Sequence, residues 1–119
     1  MKTIYVSGKY TDTTPEKMME NARLSERYSI KLWLYGYGVV CPHLNTLFDA
    51  EARLKGKPLP IPYEQYIDLD LKLVELCDVI FMLPNWKNSK GARLEREHAI
   101  KHNKIIVYTL MEAKNLLQK

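Results

Sequence analysis

The sequence predicts an α/β fold, a Rossmann-like or flavodoxin-like three-layer sandwich built on a small parallel β-sheet. Three observations point there. Short runs rich in β-branched and aromatic residues, "TIYVSG", "GVVCP", "DVIFML" and "KIIVYTL", recur along the chain. They alternate with longer segments of helical periodicity, the pattern of a parallel sheet covered by helices on both faces. The 119 residues, 46% hydrophobic and 27% charged, suffice for one core and leave no room for a second, so 1–119 reads as a single domain.

In order, "TIYVSG" is a first strand ending at Gly8, and its apolar stretch is too short to read as a signal peptide. A helix follows. Thr13 or Thr14 can cap it, Pro15 suits its first turn, and Glu16 is spaced for a capping box with Thr13. It should run to about Tyr35 and stop at Gly36 or Gly38. "GVVCP" is a short buried strand ended by Pro42. Residues 43–62 read as a long connection with a helical turn around "LFDAEARL", a length more typical of a functional flap than of a plain turn. Pro62 opens a helix from Tyr63 to Leu76; "DVIFML" is the third strand and "PNWKN" the loop after it. "SKGARLEREHAIKH" is the next helix, "KIIVYTL" the fourth strand and "MEAKNLLQ" a closing helix. In such folds ligands bind outside the carboxyl ends of the strands. Here those ends are Ser7–Gly8, Pro42–His43, the Pro84–Asn88 loop and the residues after Leu110.

Composition narrows the function classes. No apolar run approaches the ~20 residues that span a bilayer, so no membrane partner is expected. Cys41 and Cys77 sit in apolar settings, as reduced thiols do, which suggests a cytoplasmic protein. The net charge of +4, with a pI near 9.0, is a mild excess and not the dense stripe of a protein that binds nucleic-acid polymers. It suits a small anionic ligand if Lys87, Lys90, Arg93 and Arg96 gather near one site, and a solvated basic surface if they do not.

Two carboxylates fall out of pattern. At 100° per residue, Arg93, Glu97 and Lys101 form a water-facing row that opposite charges can pair. Glu95 instead stacks with Gly91 and Ala99, beside Ala92, on the small-residue face suited to close approach to the sheet. In "YEQYIDLDLKLVELC", Tyr63, Tyr66, Ile67, Leu73, Val74 and Cys77 make one apolar stripe, with Asp70 in its middle. Asp68 lies opposite, spaced to pair with Lys72. A buried carboxylate without a partner costs several kcal/mol or takes up a proton. Glu95 and Asp70 are therefore candidates for a functional site, or else for capping a backbone group or pairing a buried cation.

The helix carrying Glu95 starts just after a strand, with Ser89 as N-cap and Gly91 in its first turn. Its free N–H groups, Ser89, Lys87 and Lys90 offer an anion site. His43 faces the same edge, as a ligand contact or as a histidine bonded within its turn. His98 and His102, at i and i+4, make half a metal site, but no third ligand stands at a recognisable spacing and no metal is expected. The first strand ends "SGKYT", so the GxGxxG dinucleotide fingerprint is missing and no cofactor is called.

"IYVSGKY", "DLDLKLVELCDVIFML" and "SKGARLEREHA" together resemble the nucleoside 2-deoxyribosyltransferase superfamily. Within it, "CPHLNT" and "WKNSKGARLEREHA" are most similar to small uncharacterised phage and bacterial relatives and to the nucleoside 5'-monophosphate N-glycosidases. The resemblance covers nearly the whole chain through short motifs. It implies that Glu95, between Gly91 and Ala99, is the nucleophile and that Tyr5 holds it in place. It implies too that Asp70, eight residues before Asp78, orients the sugar and protonates the leaving base. The transferases carry a base-recognising aspartate where this chain has Ser89, and the monophosphate glycosidases a serine that contacts the 5'-phosphate. The transferases also borrow residues from a neighbour's C-terminal tail, for which "NLLQK" has no counterpart.

Hydrolysis of the N-glycosidic bond of a nucleoside or deoxynucleoside 5'-monophosphate is thus implied, through a glycosyl ester of Glu95. An ionised Glu95 would attack, and a protonated Asp70 would serve as acid. Ser7, Gly8, Lys9, His43, Ser89, Lys90 and Gly91 would bind substrate, with Trp86 stacking on a base or merely packing. The resemblance also implies a homo-oligomer, a dimer or tetramer. The alternatives are base transfer between nucleosides and, without catalysis, a nucleotide-binding or sensing module.

Overall fold

Four parallel strands in the order β2-β1-β3-β4 form one sheet in the computed structural model, which describes residues 1–118. The strands are β1 (Thr3–Ser7), β2 (Gly38–Val40), β3 (Val79–Met82) and β4 (Ile105–Val107). The helices are α1 (Pro15–Tyr35), α2 (Pro42–Asn45), α3 (Leu47–Leu54), α4 (Tyr63–Leu76), α5 (Lys90–Lys101) and α6 (Leu110–Leu116). The α/β three-layer class expected from the sequence is therefore the fold observed. Among the described residues, no helix is long and apolar enough to cross a membrane.

Strand parity divides the core. Ile4 and Val6 of β1 and Val79 and Phe81 of β3 pack with Leu32 of α1 and Ala113 of α6. Tyr5 of β1 and Ile80 and Met82 of β3 pack instead with Val74, at the end of α4, and with Ala92 and Ala99 of α5. Successive side chains on a strand point to opposite faces, so Tyr5 and Ser7 share the α4–α5 face. Every residue of β1 from Ile4 to Ser7 is fully buried, as expected for a strand paired on both edges in a sheet covered on both sides.

Several boundaries differ from the expectation. Thr14 alone caps α1, accepting from the Lys17 N–H, so the box joining Thr13 to Glu16 does not form. The helix ends as predicted, with Gly36 at φ 114°, a left-handed turn that glycine adopts without penalty. Pro42 does not simply end a strand: it opens α2 from the first helical position, where its missing N–H costs nothing. The long connection is thus largely helical, α2 followed by α3. The closing helix starts earlier than expected because Thr109 caps it and Glu112 reaches back to the Tyr108 N–H. Arg93, Glu97 and Lys101 are exposed, yet among the described residues no ion pair joins them, nor Asp68 to Lys72. Tyr63, assigned to the apolar stripe of α4, is 44% exposed.

Candidate functional site

Glu95 sits in the second turn of α5, on the face turned to β1. Its carboxylate accepts from Ser7 Oγ at 2.6 Å and from Tyr5 OH at 3.0 Å, one hydroxyl to each oxygen. Both donors come from one face of β1, two residues apart, so the strand's pleat sets them side by side. Glu95 is only 6% exposed and lines a cavity of about 560 Å³ at the carboxyl edge of the sheet. Asp70 of α4 lines the same cavity, half-buried.

Burial raises both carboxyls. Burial pushes the Glu95 carboxyl up to about 8; the Ser7 and Tyr5 hydroxyls oppose the rise and the charge of Asp70 adds to it. Burial lifts Asp70 less, to about 6, because it keeps more contact with water. Near neutral pH two carboxyls raised in this way share one proton, which belongs to the pair and not to either residue alone. Tyr5 is held well above its ordinary value by burial and by Glu95, so it stays a hydrogen-bond donor.

The start of α5 forms one rim. Ser89 caps the helix by accepting from the Ala92 N–H at 3.1 Å, and Ser89, Lys90 and Gly91 all line the cavity. A Cβ on Gly91 would come within 3.1 Å of the Tyr63 hydroxyl, so the glycine admits that tyrosine against the helix. Gly8 allows another close approach: a Cβ there would lie 2.5 Å from Leu83 Cδ1 and 3.0 Å from Asn85 Oδ1. Asn85 Oδ1 accepts from the Lys9 N–H at 2.9 Å, tying the end of β1 to the loop after β3.

His43, also in the lining, is buried. Its Nε2 lies 3.2 Å from the Lys9 carbonyl, so Nε2 carries the hydrogen and Nδ1 is left as an acceptor without a protein partner. Burial lowers its affinity for a second proton, to a pKa of about 4. The Tyr66 hydroxyl is likewise buried and without a partner. Both groups are available to a ligand's polar atoms.

Not every candidate reaches the cavity. Tyr5 and Ser7 stand behind Glu95 and act through it. The Lys9 ammonium lies 3.5 Å from Asp12, outside the lining. Trp86 does not line the cavity; it packs against Tyr108, with the Arg96 guanidinium 5.1 Å from the centroid of the Trp86 ring. Arg93 donates to the Lys87 carbonyl. Of the basic cluster only Lys90 lines the cavity. What sequence reasoning missed is the opposite wall: Tyr10 and Arg53 both donate to Asp49, at 2.6 and 3.0 Å. The i, i+4 spacing of Asp49 and Arg53 was the available signal; Tyr10 gave none.

Fold and site together define a Rossmann-like α/β domain with a buried and a half-buried carboxylate in one cavity at the carboxyl edge of its sheet. A model of the family described as domain of unknown function DUF4406 matches residues 2–108, and the chain belongs to that family. Comparison with curated proteins finds no match.

Proposed function

We propose that the protein is a nucleotide N-glycosidase that hydrolyses the N-glycosidic bond of a nucleoside or deoxynucleoside 5'-monophosphate. The observation that carries this reading is the Glu95 carboxylate, buried, fixed by two hydroxyls and facing the cavity that Asp70 shares. The sequence resemblance to the nucleoside 2-deoxyribosyltransferase superfamily supports it independently. Glu95 attacks C1' of the sugar while Asp70 gives its proton to the departing base. Water then cleaves the glutamyl ester and releases the sugar phosphate.

The step requires Glu95 ionised and Asp70 protonated. That form makes up a share of the singly protonated pair, alongside the form with the proton on Glu95. Bound substrate raises the share: it strips water from Asp70, and positive charge developing at C1' favours an ionised Glu95. Ser89, Lys90 and the N–H groups opening α5 would hold the 5'-phosphate. A homo-oligomer and a cytoplasmic setting are carried over from the sequence reading.

One observation favours a second reading, an uncharged nucleoside as substrate for hydrolysis or base transfer. Asp12, Asp49, Asp70 and Glu95 line the cavity against only Lys90 and Arg53, and Arg53 is engaged by Asp49. Incubating the protein with nucleoside monophosphates and the matching nucleosides, with and without a second base, and following free base by chromatography separates the cases. Base released from a monophosphate by the wild type and not by Glu95→Gln is the expected result. Release from nucleosides alone, or only with an acceptor base, selects the second reading. No release, with a nucleotide still raising the melting temperature, selects a binding module.

A further inference from the structure

The far ends of the two helices that carry Asp70 and Glu95 meet in a cluster unrelated to the cavity. Glu75 in the last turn of α4 faces His98 and His102 at the end of α5. His98 Nε2 lies 2.7 Å from one Glu75 oxygen and His102 Nε2 lies 4.0 Å from the other. One ligating atom from each residue falls within 4.8 Å of both others. We propose that Glu75, His98 and His102 bind one divalent transition-metal ion of the zinc class, clamping α4 to α5.

The donor set and its spacing carry the argument. Two imidazoles and a carboxylate form a common protein ligand set for zinc, with bonds of about 2.0–2.2 Å. Ligand atoms of a tetrahedral shell of that size stand about 3.4 Å apart. The 2.7 and 4.0 Å separations run to different Glu75 oxygens, and one ligand atom of each residue lies within 4.8 Å of the others, so rotations of side chains that are largely at the surface can bring them to that spacing. The i, i+4 spacing on α5 sets the two rings side by side, their centroids 4.2 Å apart.

Tautomer chemistry prepares one ligand in advance. His102 Nδ1 lies 2.9 Å from the His98 carbonyl, an acceptor only, so the ring's hydrogen sits on Nδ1 and the Nε2 lone pair is free. A backbone carbonyl holding the distal nitrogen is the usual outer support of a metal-bound histidine. At His98 the metal takes the place of the hydrogen between Nε2 and Glu75, and the neutral ring then carries its hydrogen on Nδ1. Water fills the fourth position. The nearby cation acting on Glu75 is Lys104, and the metal competes with it. None of the three ligands lines the cavity, so the proposal stands apart from the reading of Glu95 and Asp70.

The test is a zinc titration of the untagged full chain against a chromophoric chelator. It is repeated on Glu75→Gln, His98→Ala, His102→Ala and, as a probe of the acidic cavity, Asp70→Asn. Circular dichroism confirms that each variant is folded. The expected result is one zinc per chain, affinity weakened at least tenfold in each of the first three variants and unchanged in Asp70→Asn. Zinc also raises the melting midpoint of the wild type and not that of His102→Ala. No zinc bound by the wild type overturns the proposal, as does equal affinity in the three ligand variants. Loss of binding in Asp70→Asn alone places the ion in the cavity and overturns it too.

Discussion

Ser7 Oγ donates to Glu95 Oε1 across 2.6 Å of space and 88 positions of sequence. The bond is the shortest that Glu95 makes, and it opposes the effect of burial by favouring the ionised carboxylate. It exists because Tyr5 and Ser7 of β1 face α5 and because Ala92 and Ala99 let that helix lie close to the sheet. Ser7 is thus a positioning residue: it acts on substrate only through Glu95.

Removing that hydroxyl should weaken catalysis without emptying the site. A hydrogen bond to a charged group contributes about 1.5–3 kcal/mol, so Ser7→Ala should lower kcat/KM for base release roughly 10- to 100-fold. KM should change little. Glu95 should also bind its proton more tightly, moving the alkaline limb of the pH profile upward. Steady-state kinetics over pH check both effects, and an unmoved limb would show that Ser7 does not tune Glu95.

The wild-type profile itself is constrained. Since the reacting form has lost one proton of the pair and kept the other, kcat/KM should be bell-shaped, with limbs near the values of about 6 for Asp70 and about 8 for Glu95. Activity falls on the acid side as both carboxyls protonate and on the alkaline side as both ionise. Asp70→Asn, which has no proton to give, should lose the alkaline limb together with most of the activity, and what remains should rise with pH as Glu95 ionises.

Glu95 also has a cost in stability that depends on pH. Its value in the folded protein lies above the ordinary carboxylate value, so the folded state holds the proton more tightly than the unfolded one. The contribution is fully present below the unfolded value, about 4.5, and is lost as pH rises through about 8. Glu95→Gln, which never ionises, should match the wild type at about pH 5 and exceed it by several kcal/mol at about pH 9. Urea denaturation at the two pH values reads the difference, and a gap that does not grow with pH contradicts it.

Gly8 tests the close packing behind the cavity. A methyl group there meets Leu83 Cδ1 at 2.5 Å and Leu83 Cβ at 2.8 Å, and the second contact is with an atom fixed to the backbone. Gly8→Ala should therefore destabilise the fold by about 1–3 kcal/mol, as overpacking does, and disturb the Lys9–Asn85 tie beside the cavity. Denaturant midpoints for the variant measure it directly.

The alternation of strand and helix was legible because each apolar run was short and bounded, and Glu95 and Asp70 were legible because a carboxylate breaks a stripe of small or apolar residues. Trp86 reads as a stacking or a packing residue alike, because a loop aromatic finds whatever plane is nearest, and here Arg96 and Tyr108 supply it. Pro42 reads as a terminator and as a helix opener alike, and only the packing of α2 decides. The proton's place between Glu95 and Asp70 depends on how much water each retains, which no spacing encodes. Glu75 stands 23 positions from His98, so the third member of their cluster had no motif to announce it.

The two walls of the cavity are not held equally. Ser7 and Tyr5 belong to a strand hydrogen-bonded on both edges, in register with Gly38–Val40 on one side and with Val79–Met82 on the other. The facing wall rests on α2, a single turn, on α3, and on residues 55–60, which are exposed without exception. Amide hydrogens of β1 should thus exchange with solvent only in near-global opening, while those around α2 and α3 exchange through small local excursions. The buried carboxylate is thus aimed by the part of the sheet that opens last.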